Sequence, residues 1–168
     1  MGHWGYYVVG RSGQALDSAD ALASVRDELA LLERRADGWQ VWECRGGEDG
    51  TTIGSMNALA LETGSPALFG YVMDSACVVV EAAAPDSGGW TTCLDRNAMA
   101  DHLGRDERAL EDYFLVPADA ARRAVVWAAE GGATVPAGPI AEVLGAPADP
   151  SAEQLFFRFL DRLGVVRL

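Results

Sequence analysis

Two apolar runs, residues 67–73 (ALFGYVM) and 77–83 (CVVVEAA), flank the polar pair Asp74-Ser75. Each run is short and rich in β-branched or aromatic residues, and a turn signal separates them, so they read as an antiparallel hairpin. A two-residue turn would set Tyr71 opposite Val78 and Phe69 opposite Val80. Residues 85–89 (PDSGG) form the next turn and residues 90–95 a third strand, which makes the segment a β-meander.

Upstream, residues 3–9 (HWGYYVV) and 39–44 (WQVWEC) read as two further strands. In the first, Trp4, Tyr6 and Val8 share one face and Gly5, Tyr7 and Val9 the other. Both faces are largely apolar, as expected of an interior strand. Between the two strands, Leu22, Val25, Leu29 and Leu32 recur at steps of three and four. That stripe predicts a helix running from Asp17 to Asp37-Gly38. Residues 52–63 predict a second helix, closed by Gly64.

Beyond Arg96 the pattern turns helical. Segments 97–103, 107–115, 117–130, 139–144 and 151–163 are expected as helices. Pro117 suits a first helical position, and Ser151 with Gln154 makes a capping box. Residues 165–168 would return as a short strand. Strands before and helices after give an α+β fold: a mostly antiparallel sheet of about five strands, packed by helices on one face, with a C-terminal helical cluster. Residues 1–96 form the sheet-rich part. Residues 97–168 form a helical part expected to pack on it as one compact unit.

Charge limits the partners. The chain carries a net charge of −12, and all 13 basic residues are arginine. The first part holds −8 of that charge and the second −4. The bias fits a GC-rich, bacterial coding source. Such acidity disfavours phosphate backbones and anionic membranes, so neither nucleic acid nor membrane is an expected partner. No apolar stretch is long enough to span a bilayer. The first residues show no leader pattern. Three cysteines, Cys44, Cys77 and Cys93, have no CxxC spacing and read as reduced and buried, hence cytoplasmic.

No catalytic, metal or cofactor motif stands out. The Gly-rich loop 45–51 follows a strand and precedes a helix, where phosphate loops occur. It matches no phosphate-loop pattern, and Glu48 and Asp49 would repel an anion. The two histidines, His3 and His102, and three scattered cysteines lack metal-ligand spacing. A Cys93–His102 pair would need the tertiary fold to make it. A helix-turn-helix around residues 131–139 fails because its second helix has no basic residue.

The aromatics are the stronger signal. Trp4, Tyr6, Tyr7, Trp39 and Trp42 crowd the first two strands. Tyr7 and Trp39 are expected in the core, whereas Trp4, Tyr6 and Trp42 are candidates for an exposed binding surface, with Arg11 as a nearby anion clamp. Glu43, Asp74 and Asp95 are further candidate polar groups. The expected function is a non-enzymatic protein-binding role, regulatory or toxin-neutralising in type, toward a basic protein. The alternative is a small-molecule binder or enzyme with a pocket at the aromatic sheet face. A self-associating subunit that uses the apolar face of 155–163 is a third possibility.

Overall fold

The computed structural model describes residues 2–44, 54–104 and 106–167. The Gly-rich loop therefore lies outside the described residues. The described residues form one six-stranded antiparallel sheet of β1 (Gly5–Arg11), β2 (Leu29–Arg34), β3 (Trp39–Cys44), β4 (Ala67–Met73), β5 (Cys77–Ala84) and β6 (Gly88–Leu94). Their spatial order is β2-β3-β1-β4-β5-β6. The helices are α1 (Met56–Thr63), α2 (Arg96–Leu103), α3 (Pro117–Glu130), α4 (Ala137–Leu144) and α5 (Ala152–Arg162). The fold is α+β with a C-terminal helical cluster, as the strand and helix patterning implied.

The sheet gains its sixth strand from the segment expected as a long helix. Residues Leu16–Ser18 and Asp20–Glu28 are 3-10 turns, separated by extended Ala19. The Glu62 carboxylate of α1 accepts the backbone N–H groups of Asp20 (2.8 Å) and Ala21 (3.0 Å). Leu22 and Val25 are fully buried, so half of the apolar stripe does face the core. From Leu29 onward the chain pairs with β3 instead, through a turn in which Gly38 has a φ of 98°. A backbone ladder and that left-handed turn outweigh helical spacing over so few residues.

The central hairpin closes by a longer turn than expected. Asp74 and Ser75 both adopt positive φ, 55° and 52°, and the Ala76 N–H donates to the Met73 carbonyl (3.0 Å). One extra residue shifts the register by one, so Tyr71 faces Val79 and Phe69 faces Glu81.

Helices cover both faces of the sheet, not one. On the first face, Tyr7, Val9, Trp39, Val41, Leu68, Val80 and Trp90 pack with α3, α4 and α5. Trp127 of α3 is fully buried, and its indole N–H donates to the carbonyls of Ala67 (3.1 Å) and Ala83 (3.0 Å). On the second face, the 3-10 segment and α1 cover Val8, Trp42, Cys44, Ala67 and Ala83. Met99 and Ala100 of α2 and Leu110 cover Met73, Cys77 and Cys93. Hence both Val8 and Val9 are fully buried.

Ser151 caps α5 as its sequence implied, accepting from Gln154 N–H (3.3 Å). Ser55, inside the segment expected as helix, instead caps α1 at its later start, accepting from Ala58 N–H (3.1 Å). Residues 165–167 form no strand. Val165 and Val166 are buried, and Arg35 Nη1 takes the carbonyls of Gly164 (2.6 Å) and Val165 (2.8 Å) in place of a ladder. The apolar face of α5 is also internal, since Leu155, Phe156, Phe159 and Leu160 are fully buried. It is therefore not a contact between copies.

A half-open aromatic strip on the sheet

Pleating sends alternate residues of each strand to the second face, and the register aligns them into rungs. One rung runs Cys44, Tyr6, Tyr71, Val79, Cys93 across β3, β1, β4, β5 and β6. The next runs Trp42, Val8, Phe69, Glu81, Thr91. At the β3 side these rungs lie under the 3-10 segment and α1. In the middle, between α1 and α2, the cover thins. Tyr6, Phe69, Tyr71, Val79 and Thr91 are half-buried, and Glu81 is exposed.

The rings form a continuous strip. Tyr6 and Tyr71 stack with centroids 4.4 Å apart, and Phe69 meets Tyr6 edge-on at 5.4 Å. Trp4 extends the strip, 6.2 Å from Tyr71 and 6.0 Å from the ring of His102 on α2. Burial raises the Tyr6 phenol above its ordinary pKa, and the nearby Tyr71, Cys44 and Glu81 add to the effect. The faces of such rings are electron-rich, and the exposed Glu81 carboxylate lies on the same sheet face. Next to it is a recess of about 250 Å³ lined by Ser55, Asn57, Glu81 and Thr91, among others.

The candidate residues named from sequence separate. Trp4 and Tyr6 lie in the strip. Trp42 is on the same face but buried, and its indole N–H donates to Gln40 Oε1 (3.0 Å). Arg11 sits at the far end of β1, in another recess of about 290 Å³ with Ser12, Asp37 and Ser65. Glu43 stands opposite Tyr7. Asp74 Oδ1 accepts the Gly2 N–H (2.9 Å), and Asp95 caps α2 through Ala98 N–H (3.0 Å) and holds Ala148 N–H (2.8 Å). These two acids tie the backbone together. The strip's other members, Phe69, Tyr71, Glu81 and His102, come from β4, β5 and α2, and only the strand order brings them to Tyr6.

Nucleophilic chemistry finds no support in the thiols. Burial pushes Cys44 up to about 11, Cys77 to about 12 and Cys93 to about 11. At Cys93 the neighbouring Arg96 acts in the opposite direction and does not offset burial. All three are thiols near neutrality, and the thiolate is the reactive form. Cys93 Sγ lies 3.8 Å from Arg96 Nη1, and His102 lies against Trp4. Among the described residues no group of three or more His, Cys, Asp or Glu is placed to hold a metal ion. No helix among them is long and apolar enough to cross a membrane. No family model, curated protein or solved structure matches the chain.

Proposed function

We propose that this chain is a non-enzymatic binding protein that docks an arginine- or lysine-bearing segment of a basic protein on its aromatic strip. The observation that carries the reading is the Tyr6–Tyr71 stack, extended by Trp4 and Phe69, with exposed Glu81 on the same sheet face. A cation over such rings gains about 0.5–1 kcal/mol per exposed contact and about 2 when desolvated. Glu81 supplies the paired charge, and the net charge of −12 draws a basic partner in. A regulatory or toxin-neutralising role fits this chemistry. Three reduced, buried thiols support a cytoplasmic setting.

The test is fluorescence anisotropy with a labelled oligo-arginine peptide and an oligo-glutamate control. Saturable binding of the first alone is expected, with about tenfold weaker affinity after Tyr71→Ala or Glu81→Gln. Affinity unchanged by both substitutions would assign the binding to net charge and reject the strip.

The recess beside Glu81 favours a second reading, a small polar ligand held by Ser55, Asn57, Glu81 and Thr91. Native mass spectrometry of gently isolated protein separates the two. An added small mass supports the recess, and a heteromer supports the protein partner.

A further inference from the structure

Arg11 is a half-buried cation whose charge nothing answers. Arg35, Arg96 and Arg123 are also half-buried, and each donates to backbone carbonyls. Among the described residues Arg11 makes no hydrogen bond or ion pair, and its Nε is shielded from solvent without an acceptor. A guanidinium withdrawn from water is costly until an acceptor neutralises it. Arg11 lines the recess of about 290 Å³ at the end of β1. A second orphan lines it too. Ser65 is only 7% exposed, and its hydroxyl has no hydrogen-bond partner among the described residues.

The surroundings are electropositive in an acidic chain. Arg34 Nη2 donates to the carbonyl of Gly13 (3.1 Å), a residue of the recess wall. Asp37, the acid that lines the recess, is paired with Arg35 (2.9 Å). Three arginines thus meet one carboxylate here, although the chain as a whole carries −12. α1 ends at the recess through Thr63, and the partial negative charge of a helix C-terminus, about half a unit, does not cancel that balance. It does disfavour a doubly charged phosphate. We propose that this recess binds a small monocarboxylate. The Arg11 guanidinium takes both its oxygens as a bidentate fork, and the Ser65 hydroxyl donates to one of them. The site is separate from the aromatic strip and goes beyond the binding role proposed above.

The walls are fixed before a ligand arrives. Gln40 Nε2 donates to the carbonyls of Ser12 (3.2 Å) and Gln14 (2.8 Å), and the Ser12 N–H donates to the Gly38 carbonyl (3.1 Å). A Cβ on Gly38 would lie 3.3 Å from Arg11 Cγ, so the glycine turn closes against the arginine stem. Thr63 Oγ1 donates to the Leu59 carbonyl (3.0 Å) and accepts the Ser65 N–H (3.3 Å), which holds Ser65 at the recess. A preformed donor set loses little freedom on binding. The volume is small for a ligand pocket, so a carboxylate of a few carbons is the size that fits. So few ligand atoms set the affinity in the roughly millimolar range.

Proton–nitrogen NMR on the full chain tests the proposal, with sodium propionate titrated against sodium chloride at matched ionic strength. Saturable shifts centred on the amides of Ser12, Gly13, Gly38 and Ser65, and on the Arg11 Nε–H, are expected with propionate alone. Arg11→Lys keeps the charge but loses the fork, and weakens binding about tenfold. Ser65→Ala removes an unbonded hydroxyl, stays folded, and weakens binding about threefold. Circular dichroism checks that both variants keep the fold. Shifts that do not exceed the chloride control overturn the proposal, as do shifts spread over the other arginines. So does an affinity that either folded variant leaves unchanged, or tighter binding of inorganic phosphate than of propionate. Oligo-arginine binding to the strip is a separate readout, unaffected by these variants.

Discussion

Tyr6 and Tyr71 stand directly opposite each other on β1 and β4, their rings stacked at 4.4 Å with 24° between the planes. They lie 65 positions apart in the chain, so the pairing is a product of strand order. Stacked aromatic pairs contribute about 0.5–1.5 kcal/mol beyond the area they bury. A double-mutant cycle with Tyr6→Leu and Tyr71→Leu, read by urea unfolding, is expected to show coupling in that range. Additive effects would mean the rings touch without cooperating.

Gln40 holds the segment that follows β1. It is fully buried, and its Oε1 accepts from Leu16 N–H (2.9 Å) and Trp42 Nε1–H (3.0 Å). Its Nε2 donates to the carbonyls of Ser12 (3.2 Å) and Gln14 (2.8 Å). Gln40→Leu keeps the volume and orphans those four groups. The cost is expected to be about 2–4 kcal/mol in urea unfolding, because stranded buried polar groups bear their full desolvation penalty. Hydrogen exchange should show residues 12–16 losing protection first.

Gly70 makes room for α5. A Cβ there would lie 2.5 Å from Phe156 Cε1 and 2.7 Å from Cζ, on a fully buried ring. Gly70→Ala is expected to destabilise the fold by about 1–3 kcal/mol through overpacking. Adding Phe156→Leu should cost less than the sum of the single changes, since it removes the obstructing ring atoms. Strict additivity in the unfolding free energies would contradict the steric account.

Alkaline pH should destabilise the protein through its buried thiols and Tyr7. The thiols ionise at an ordinary value of 9.0 in the unfolded chain, but at about 11 (Cys44, Cys93) and about 12 (Cys77) when folded. Tyr7 behaves likewise, raised from 10.0 to about 12 by burial and by Glu43 and Glu153. Between those limits the unfolded state holds fewer protons, so stability falls as pH rises. It is intact below about pH 8, and each group adds a slope of up to about 1.4 kcal/mol per pH unit. Urea midpoints at about pH 8, 9.5 and 10.5 measure the loss. Cys77→Ala should flatten it, and an unchanged slope would place the titration elsewhere.

Local chemistry in the sequence settled much of the architecture. β-branched runs gave β4 and β5, Pro117 the start of α3, and Ser151 the cap of α5, because each signal acts over a few residues. The same locality misplaced the segment 17–37. Helical spacing of Leu22, Val25 and Leu29 was real, but extended Ala19 and the ladder to β3 made it 3-10 turns and an edge strand. Of the three candidates for an exposed surface, Trp4 and Tyr6 are half-buried in the strip, while Trp42 is buried with its indole N–H on Gln40. Phe69, Tyr71, Glu81 and His102 joined the strip only through register. Pairing across a sheet depends on strand order and on turn length, and a single added residue at Ala76 sufficed to put Phe69 opposite Glu81 instead of Val80. Composition and short-range pattern determined which segments could be strands and helices; the tertiary structure decided which side chains became neighbours, because that is set by contacts between residues far apart in the chain.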